Sequence, residues 1–119
     1  MANAYAPYSS FRVGAALVCA DGSIVAGCNV ENSAYPAGIC AERAALSAAI
    51  TRGQRTFSLL VVATEADDPT PPCGLCRQAL VEFAPSLEIV SVTVAGASTR
   101  WGLGDLLAHP FTPSSLVHT

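Results

Sequence analysis

Two short stretches of this chain carry side chains that could do chemistry together. Cys73-Gly74-Leu75-Cys76, preceded by Pro71 and Pro72, is a C-x-x-C pair whose sulfurs can reach one ion. Upstream, Cys40-Ala41-Glu42-Arg43 offers a third sulfur with a carboxylate two residues on. Three thiolates fill three corners of a zinc tetrahedron and leave the fourth for water, which separates catalytic zinc from closed structural zinc. A carboxylate beside such a site can carry that water's proton, which makes Glu42 the candidate acid and base. Either stretch alone is a weak signal; the two together are a strong one.

The elements that must position them follow from local pattern. Both cysteine segments fall at expected helix starts, where free backbone N–H groups and the helix dipole favour thiolate over thiol. Cys40 to Thr51 is alanine-rich, with Gly53 just past its end as a stop signal. Cys73 to Phe83 places Leu75, Ala79, Leu80 and Phe83 at helical spacing, and Pro85 ends it. In the first turn of a helix, Cys40 and Glu42 converge on one point off the helix end. Arg43 or Arg77 could offset the excess negative charge of three thiolates by hydrogen-bonding sulfur, and Arg43 is preferred.

Around these helices the chain reads as strands. Tyr5 to Ser10 is a lead-in loop. Arg12 to Cys19 is an apolar strand of the kind covered on both faces. Asp21-Gly22 turns it back into a second strand over Ser23 to Val30. Glu31 to Ile39 is a loop. Phe57 to Thr64 suits a central strand, Glu65 to Pro72 is a surface loop holding Asp67 and Asp68, and Glu88 to Ala95 is a fourth strand. Thr99 to Leu103 is a short fifth strand or a turn, and Asp105 to Leu107 a final short helix. A strand hairpin followed by helix-strand-helix-strand argues for an α/β layered fold with a mixed sheet.

Composition bounds the function. The chain has 119 residues, half of them hydrophobic, which suits one domain over residues 1–119 with surface to bury against copies of itself. A net charge of −3, with six basic residues that are all arginine, gives no basic footprint and disfavours a nucleic-acid partner. The opening residues show no signal-peptide pattern, and the run from Leu59 to Ala63 is far too short to span a membrane. Five cysteines in that context suggest a reduced, cytoplasmic, metal-binding protein rather than a disulfide framework.

Other readings stand beside this one. A closed structural zinc site would need a fourth ligand, and Cys28 is available. Cys73-Gly74-Leu75-Cys76 also has the spacing of a redox pair, although no strand leads into it and Cys-Ala-Glu stays unexplained. Cys19 and Cys28 read as core or inert thiols, and His109 and His118 as tail residues in surface or packing roles.

Beyond the residues themselves, the order Cys-x-Glu and then Pro-Cys-x-x-Cys is that of the zinc-dependent deaminases in their three-cysteine form. Nearly the whole chain resembles the small, homotetrameric cytidine deaminases. The matching pieces are Tyr8 to Ala16, Gly27 to Asn32, Tyr35-Pro36, Cys40 to Arg43 and Pro72 to Gln78. The resemblance implies a three-layer α/β/α fold with a mixed central sheet of about five strands. It implies one zinc ion per subunit on Cys40, Cys73 and Cys76. Glu42 would move protons between water, ring N3 and departing ammonia, and the Ala41 N–H would contact the pyrimidine carbonyl. Asn29 and Glu31 would hold the ribose hydroxyls, and Phe11 would lie against the base. Tyr35 would stand near a neighbouring subunit's site, and Phe111 would cap the base in an adjacent pocket.

The activity so implied is hydrolytic deamination of cytidine and deoxycytidine to uridine and deoxyuridine in pyrimidine salvage. The alternatives are a deaminase of a modified nucleoside or nucleoside antibiotic, and a non-catalytic zinc-stabilised protein. Two departures from the family are visible. Its members usually carry an N-terminal helix before the Tyr-Ser-x-Phe segment, and here seven residues precede Tyr8, so that helix is expected to be absent or cut to a turn. The family's Leu-Leu-Pro-x-x-Phe becomes Leu106-Leu107-Ala108-His109-Pro110-Phe111, with the proline displaced and the phenylalanine in register.

Overall fold

The hairpin expected early in the chain forms from β1 (Val13–Cys19) and β2 (Ile24–Cys28), antiparallel, with Gly14 opposite Cys28. Its turn is set by Gly22 at φ 87° and by Asp21, whose carboxylate accepts the Ser23 N–H at 2.9 Å. These features come from a computed structural model that describes residues 1–116, so His118 lies outside the described residues. β3 (Phe57–Thr64) pairs antiparallel with β1. β4 (Glu88–Thr93) runs parallel to β3, and β5 (Ser98–Gly102) antiparallel to β4. The sheet order is β2-β1-β3-β4-β5; the mixed sheet with β3 central follows the sequence pattern, and the fifth strand is the one the family resemblance implied.

Two helices make the connections. α1 (Ala41–Thr51) joins the hairpin to β3, and α2 (Gly74–Val81) is the crossover between the parallel strands. Cys40 and Cys73 are their respective N-caps, each in extended backbone, so each helix begins one residue later than the spacing alone suggested. α1 ends in Gly53 at φ 87°, with Gly53 N–H on Ile50 O and Gln54 N–H on Ala49 O, both 3.0 Å. That is the left-handed glycine stop the sequence advertised. The single turn α3 (Leu103–Leu106) starts two residues before the expected position. Leu103 is fully buried and its N–H bonds Leu87 O at 2.9 Å, which fixes the turn there.

One face of the sheet carries the core. Leu17, Leu60, Val62 and Ile89 are buried against Leu46 and Ala49 of α1, Leu80 of α2 and Leu103. Each such side chain contributes roughly 1.5–3 kcal/mol relative to an exposed one. α1 lies unusually close to β2 because Gly27 has no side chain. A Cβ at Gly27 would stand 2.4 Å from Ala45 N and 2.7 Å from Ala41 O. The opposite face, with Val18, Leu59, Val61 and Val90, is only half-buried, so β1 is covered fully on one side and not on both. Of the three layers expected, the described residues supply the sheet and the helical layer on one face. Residues 1–12 contain turns and no helix. Among the described residues no helix is long and apolar enough to cross a membrane.

Candidate active site

The start of β1, the end of β2 and the end of β3 meet at one end of the sheet, where Val13 pairs Thr64 and Gly14 pairs Cys28. The crevice off the carboxyl ends of parallel strands is the usual ligand site in α/β sheets. α1 and α2 both begin beside that end and contact each other. Between them a cavity of about 620 Å³ opens, with Cys40, Ala41, Glu42, Arg43 and Cys73 on one side. Phe11, Asn29, Glu31 and Tyr35 line the other side.

At the helix starts the three predicted sulfurs converge. Cys40 Sγ is 3.9 Å from Cys73 Sγ, and Cys73 Sγ is 3.4 Å from Cys76 Sγ. All three lie within 4.8 Å of one another and none is in a disulfide. Burial pushes the Cys76 thiol far above its ordinary range, and the nearby Glu42 carboxylate adds to this. Burial likewise raises Cys40. Burial also pushes Cys73 up, but hydrogen bonds from the Cys76 N–H and neighbouring thiols outweigh it, so Cys73 ends below its ordinary value. Three sulfurs packed this closely cannot all ionise without a cation among them. A soft divalent metal such as zinc therefore fits the donor set. Cys28, the candidate fourth ligand of a closed site, is outside the cluster and lines a separate pocket with Met1 to Asn3.

Glu42 is buried at 6% exposure, one turn position after Ala41. Burial raises its carboxyl above the ordinary range; its own backbone N–H, the Cys76 thiol and Arg43 reverse this only in part. A carboxyl lifted toward neutrality is better matched to passing a proton in both directions. The Ala41 N–H belongs to the first turn of α1, where a helix leaves its donors unused.

The two arginines separate clearly. Burial lowers the Arg43 guanidinium, and the nearby Cys40 and Cys76 sulfurs together raise it by more. Its Nε is buried with no partner. Arg77 turns away: its Nε donates to Pro72 O and its terminal nitrogen to Leu106 O, both at 2.8 Å. Arg77 is thus spent on the backbone, whereas Arg43 lines the cavity beside Cys40.

The family model for the "cytidine and deoxycytidylate deaminase zinc-binding region" matches residues 1–93 of this chain. The chain belongs to that family. A cytidine deaminase of Halalkalibacterium halodurans is 47% identical over 95% of this chain and 86% of its own length. One from Sporosarcina psychrophila is 42% identical over 97% of this chain and 85% of its own. The crystal structure of a Burkholderia pseudomallei cytidine deaminase superposes with a TM-score of 0.89 at 46% identity, covering 92% of this chain and 89% of that one. Zinc is the cofactor of this family's metal site, and the cluster of Cys40, Cys73 and Cys76 offers it three ligands.

The other sequence-predicted residues divide into two groups. Tyr35 sits in a one-turn 3₁₀ helix (Tyr35–Ala37) at the cavity rim, 76% exposed, edge-on to Tyr8 with ring centroids 6.1 Å apart. Phe111 is 60% exposed and does not line this chain's cavity; its carbonyl accepts from Gln78 Nε2 at 2.5 Å. Cys19 is buried in the core, and His109, Asp67 and Asp68 are exposed, as expected.

Sequence reasoning assigned nothing to Ser9, Thr64, Thr70 or the pair Arg12–Glu65, all at or beside the cavity. Arg12 forms a two-pronged ion pair with Glu65, 53 positions away, through Nε at 3.0 Å and Nη2 at 2.8 Å. No local pattern announces a partner at that separation.

Proposed function

We propose that this protein hydrolyses cytidine and deoxycytidine to uridine and deoxyuridine, releasing ammonia. The observation that carries it is a buried carboxylate, Glu42, beside a cluster of three cysteine sulfurs, two of which line a cavity roomy enough for a nucleoside. Cys40, Cys73 and Cys76 hold one zinc ion, which supplies a water that ionises near neutral pH. Glu42 takes a proton from the attacking water and gives it to ring N3; it then carries the proton of the new C4 hydroxyl to the amine, which leaves as ammonia as the C4 carbonyl forms. Its burial keeps bulk water from competing for that proton. Arg43 offsets the excess negative charge of three thiolates around a dication.

Substrate placement follows from the opposite wall. Phe11 packs against the base, the Ala41 N–H donates to the pyrimidine carbonyl, and Asn29 with Glu31 holds the sugar. Exposed Tyr35 and Phe111 act at a neighbouring subunit's cavity in a homotetramer. The exposure of both aromatics, together with the half-buried second face of the sheet, supports an assembly of that kind. We read residues 1–119 as one domain working on a free nucleoside in the cytoplasm, with neither nucleic acid nor membrane as partner.

The test is ammonia release from cytidine by zinc-loaded protein, with Glu42→Ala beside it. Expected is turnover by the parent, and a variant that keeps its zinc and loses turnover. Near-normal turnover by Glu42→Ala would overturn the assignment.

A further inference from the structure

The two residues assigned to the sugar are already engaged. Glu31 Oε1 accepts the Tyr8 N–H at 2.9 Å and the Ser9 N–H at 3.1 Å, and Oε2 accepts the Ser9 hydroxyl. That same Ser9 oxygen accepts the Phe11 N–H at 3.0 Å. On the other side, Asn29 Nδ2 donates to Phe11 O at 2.8 Å, and its Oδ1 accepts the Val13 N–H at 2.9 Å. Phe11 is therefore held at its N–H through Ser9 and at its carbonyl by Asn29. One hydrogen-bonded chain runs from the sugar residues to the base residue, and Ser9 is its centre.

Backbone strain lies in the same place. Ser10, between Ser9 and Phe11, has φ 56° and is the non-glycine residue that takes the left-handed region among the described residues. Such strain persists only where the surroundings over-determine the conformation. Here the surroundings are the Glu31 carboxylate and the Ser10 N–H on Ala6 O at 3.0 Å.

Hydrogen-bond capacity then limits what the sugar can find. An ionised carboxylate has about four lone-pair positions. Three are taken on Glu31, which leaves one on Oε2. Asn29 keeps one spare N–H. One acceptor and one donor together satisfy a single hydroxyl, which gives to Glu31 and accepts from Asn29. Resting on the nucleoside reading above, we infer that Ser9 is a positioning and specificity residue: it limits Glu31 to one sugar hydroxyl and ties that recognition to Phe11. The Ser9 hydroxyl, and then its N–H, also hold the Glu31 carboxyl below its ordinary range, so the acceptor is charged at neutral pH.

The experiment is steady-state kinetics of the zinc-loaded protein on cytidine, 2′-deoxycytidine and 3′-deoxycytidine. Calorimetric binding of the same nucleosides and a thermal melt of each variant accompany it. One deoxynucleoside should match cytidine, and the other should lose about tenfold in kcat/KM, the size of one charge-assisted hydrogen bond. Ser9→Ala should raise KM about tenfold with kcat nearly unchanged, and narrow the gap between the two deoxynucleosides. Ser9→Thr, which keeps the hydroxyl, should restore both. In a Glu31→Gln background, Ser9→Ala should add little, because Ser9 acts through Glu31.

Equal losses for the two deoxynucleosides would overturn the single-hydroxyl inference. So would Ser9→Ala with a lowered melt and an unmoved KM, since that marks a merely structural serine. If the parent binds cytidine with the predicted discrimination but releases no ammonia, the hydrolytic reading fails while Ser9 stands. If the parent binds none of the nucleosides, both fall.

Discussion

At the cysteine end of the cavity the functional atoms hang from the first turn of a helix, whereas along the Tyr8–Val13 wall the backbone is irregular and side chains hold it in place. Cys40 and Cys73 are helix N-caps, and Cys76 and Glu42 lie in the turns that follow. Their positions come from backbone packing: α1 against Gly27 of β2, and α2 over the core through Leu80. The wall has no such scaffold. Its residues are fixed by Glu31 on Ser9, Asn29 on Phe11 and Val13, and Glu65 on Arg12. The difference teaches where each kind of fault should appear. A change at the cysteine end should remove chemistry and leave the fold; a change in the wall should weaken binding and loosen the wall together.

The sharpest test of the first half is Cys76→Ala. Expected is loss of bound zinc, measured per chain by atomic absorption, and ammonia release at background, with helix content by circular dichroism unchanged. A variant that still held one zinc per chain would show that ligands outside the helix starts suffice, and the contrast would collapse.

Next in size is Gly27→Ala, which touches no candidate ligand. The added Cβ would meet Ala45 N at 2.4 Å, and backbone cannot swing aside as a flexible side chain could. Overpacking of this kind costs about 2–3 kcal/mol, read from urea midpoints. If backbone packing positions Cys40 and Glu42, kcat should fall along with stability. Unchanged kcat in a destabilised protein would mean that the helix start is held by something other than its seat on β2.

The same contrast explains what the sequence disclosed. The helices, the hairpin and β3 were legible because their signals are local: apolar runs, Asp21-Gly22, and Gly53 after an alanine-rich stretch. The cysteine cluster was legible because the C-x-x-C spacing and the Cys-Ala-Glu segment each specify a helix start. β5 was ambiguous, since Ser98–Gly102 is short and mostly exposed and is defined by its register on β4 rather than by its own pattern. Arg43 and Arg77 both stood beside a ligand segment in the sequence, which favoured Arg43 without settling the choice. Only the fold shows that Arg77 is spent on the carbonyls of Pro72 and Leu106. The wall was the least legible part. Its bonds join residues 22 and 53 positions apart, and their donors include backbone N–H groups that every residue possesses.

The smallest expected effect probes the wall's outermost tie. Glu65 accepts from the Arg12 side chain and from the Arg12 N–H, and these bonds hold its carboxyl at about 2 against an ordinary 4.5. A carboxylate depressed in the folded state contributes stability that is full above its unfolded value and is lost as pH falls through its folded one. Denaturant midpoints of the parent and of Arg12→Met should therefore differ slightly at neutral pH, and the gap should close between about 4.5 and about 2. Arg12 is exposed and Glu65 half-exposed, so the gap should also shrink in high salt. Because Arg12 follows Phe11 directly, KM for cytidine should rise modestly in parallel, while zinc content stays at one per chain. A gap that persisted at the acid end would assign the tie to packing of the Arg12 stem. The wall would then be held at that point in the same way as the cysteine end, by contact rather than by charge.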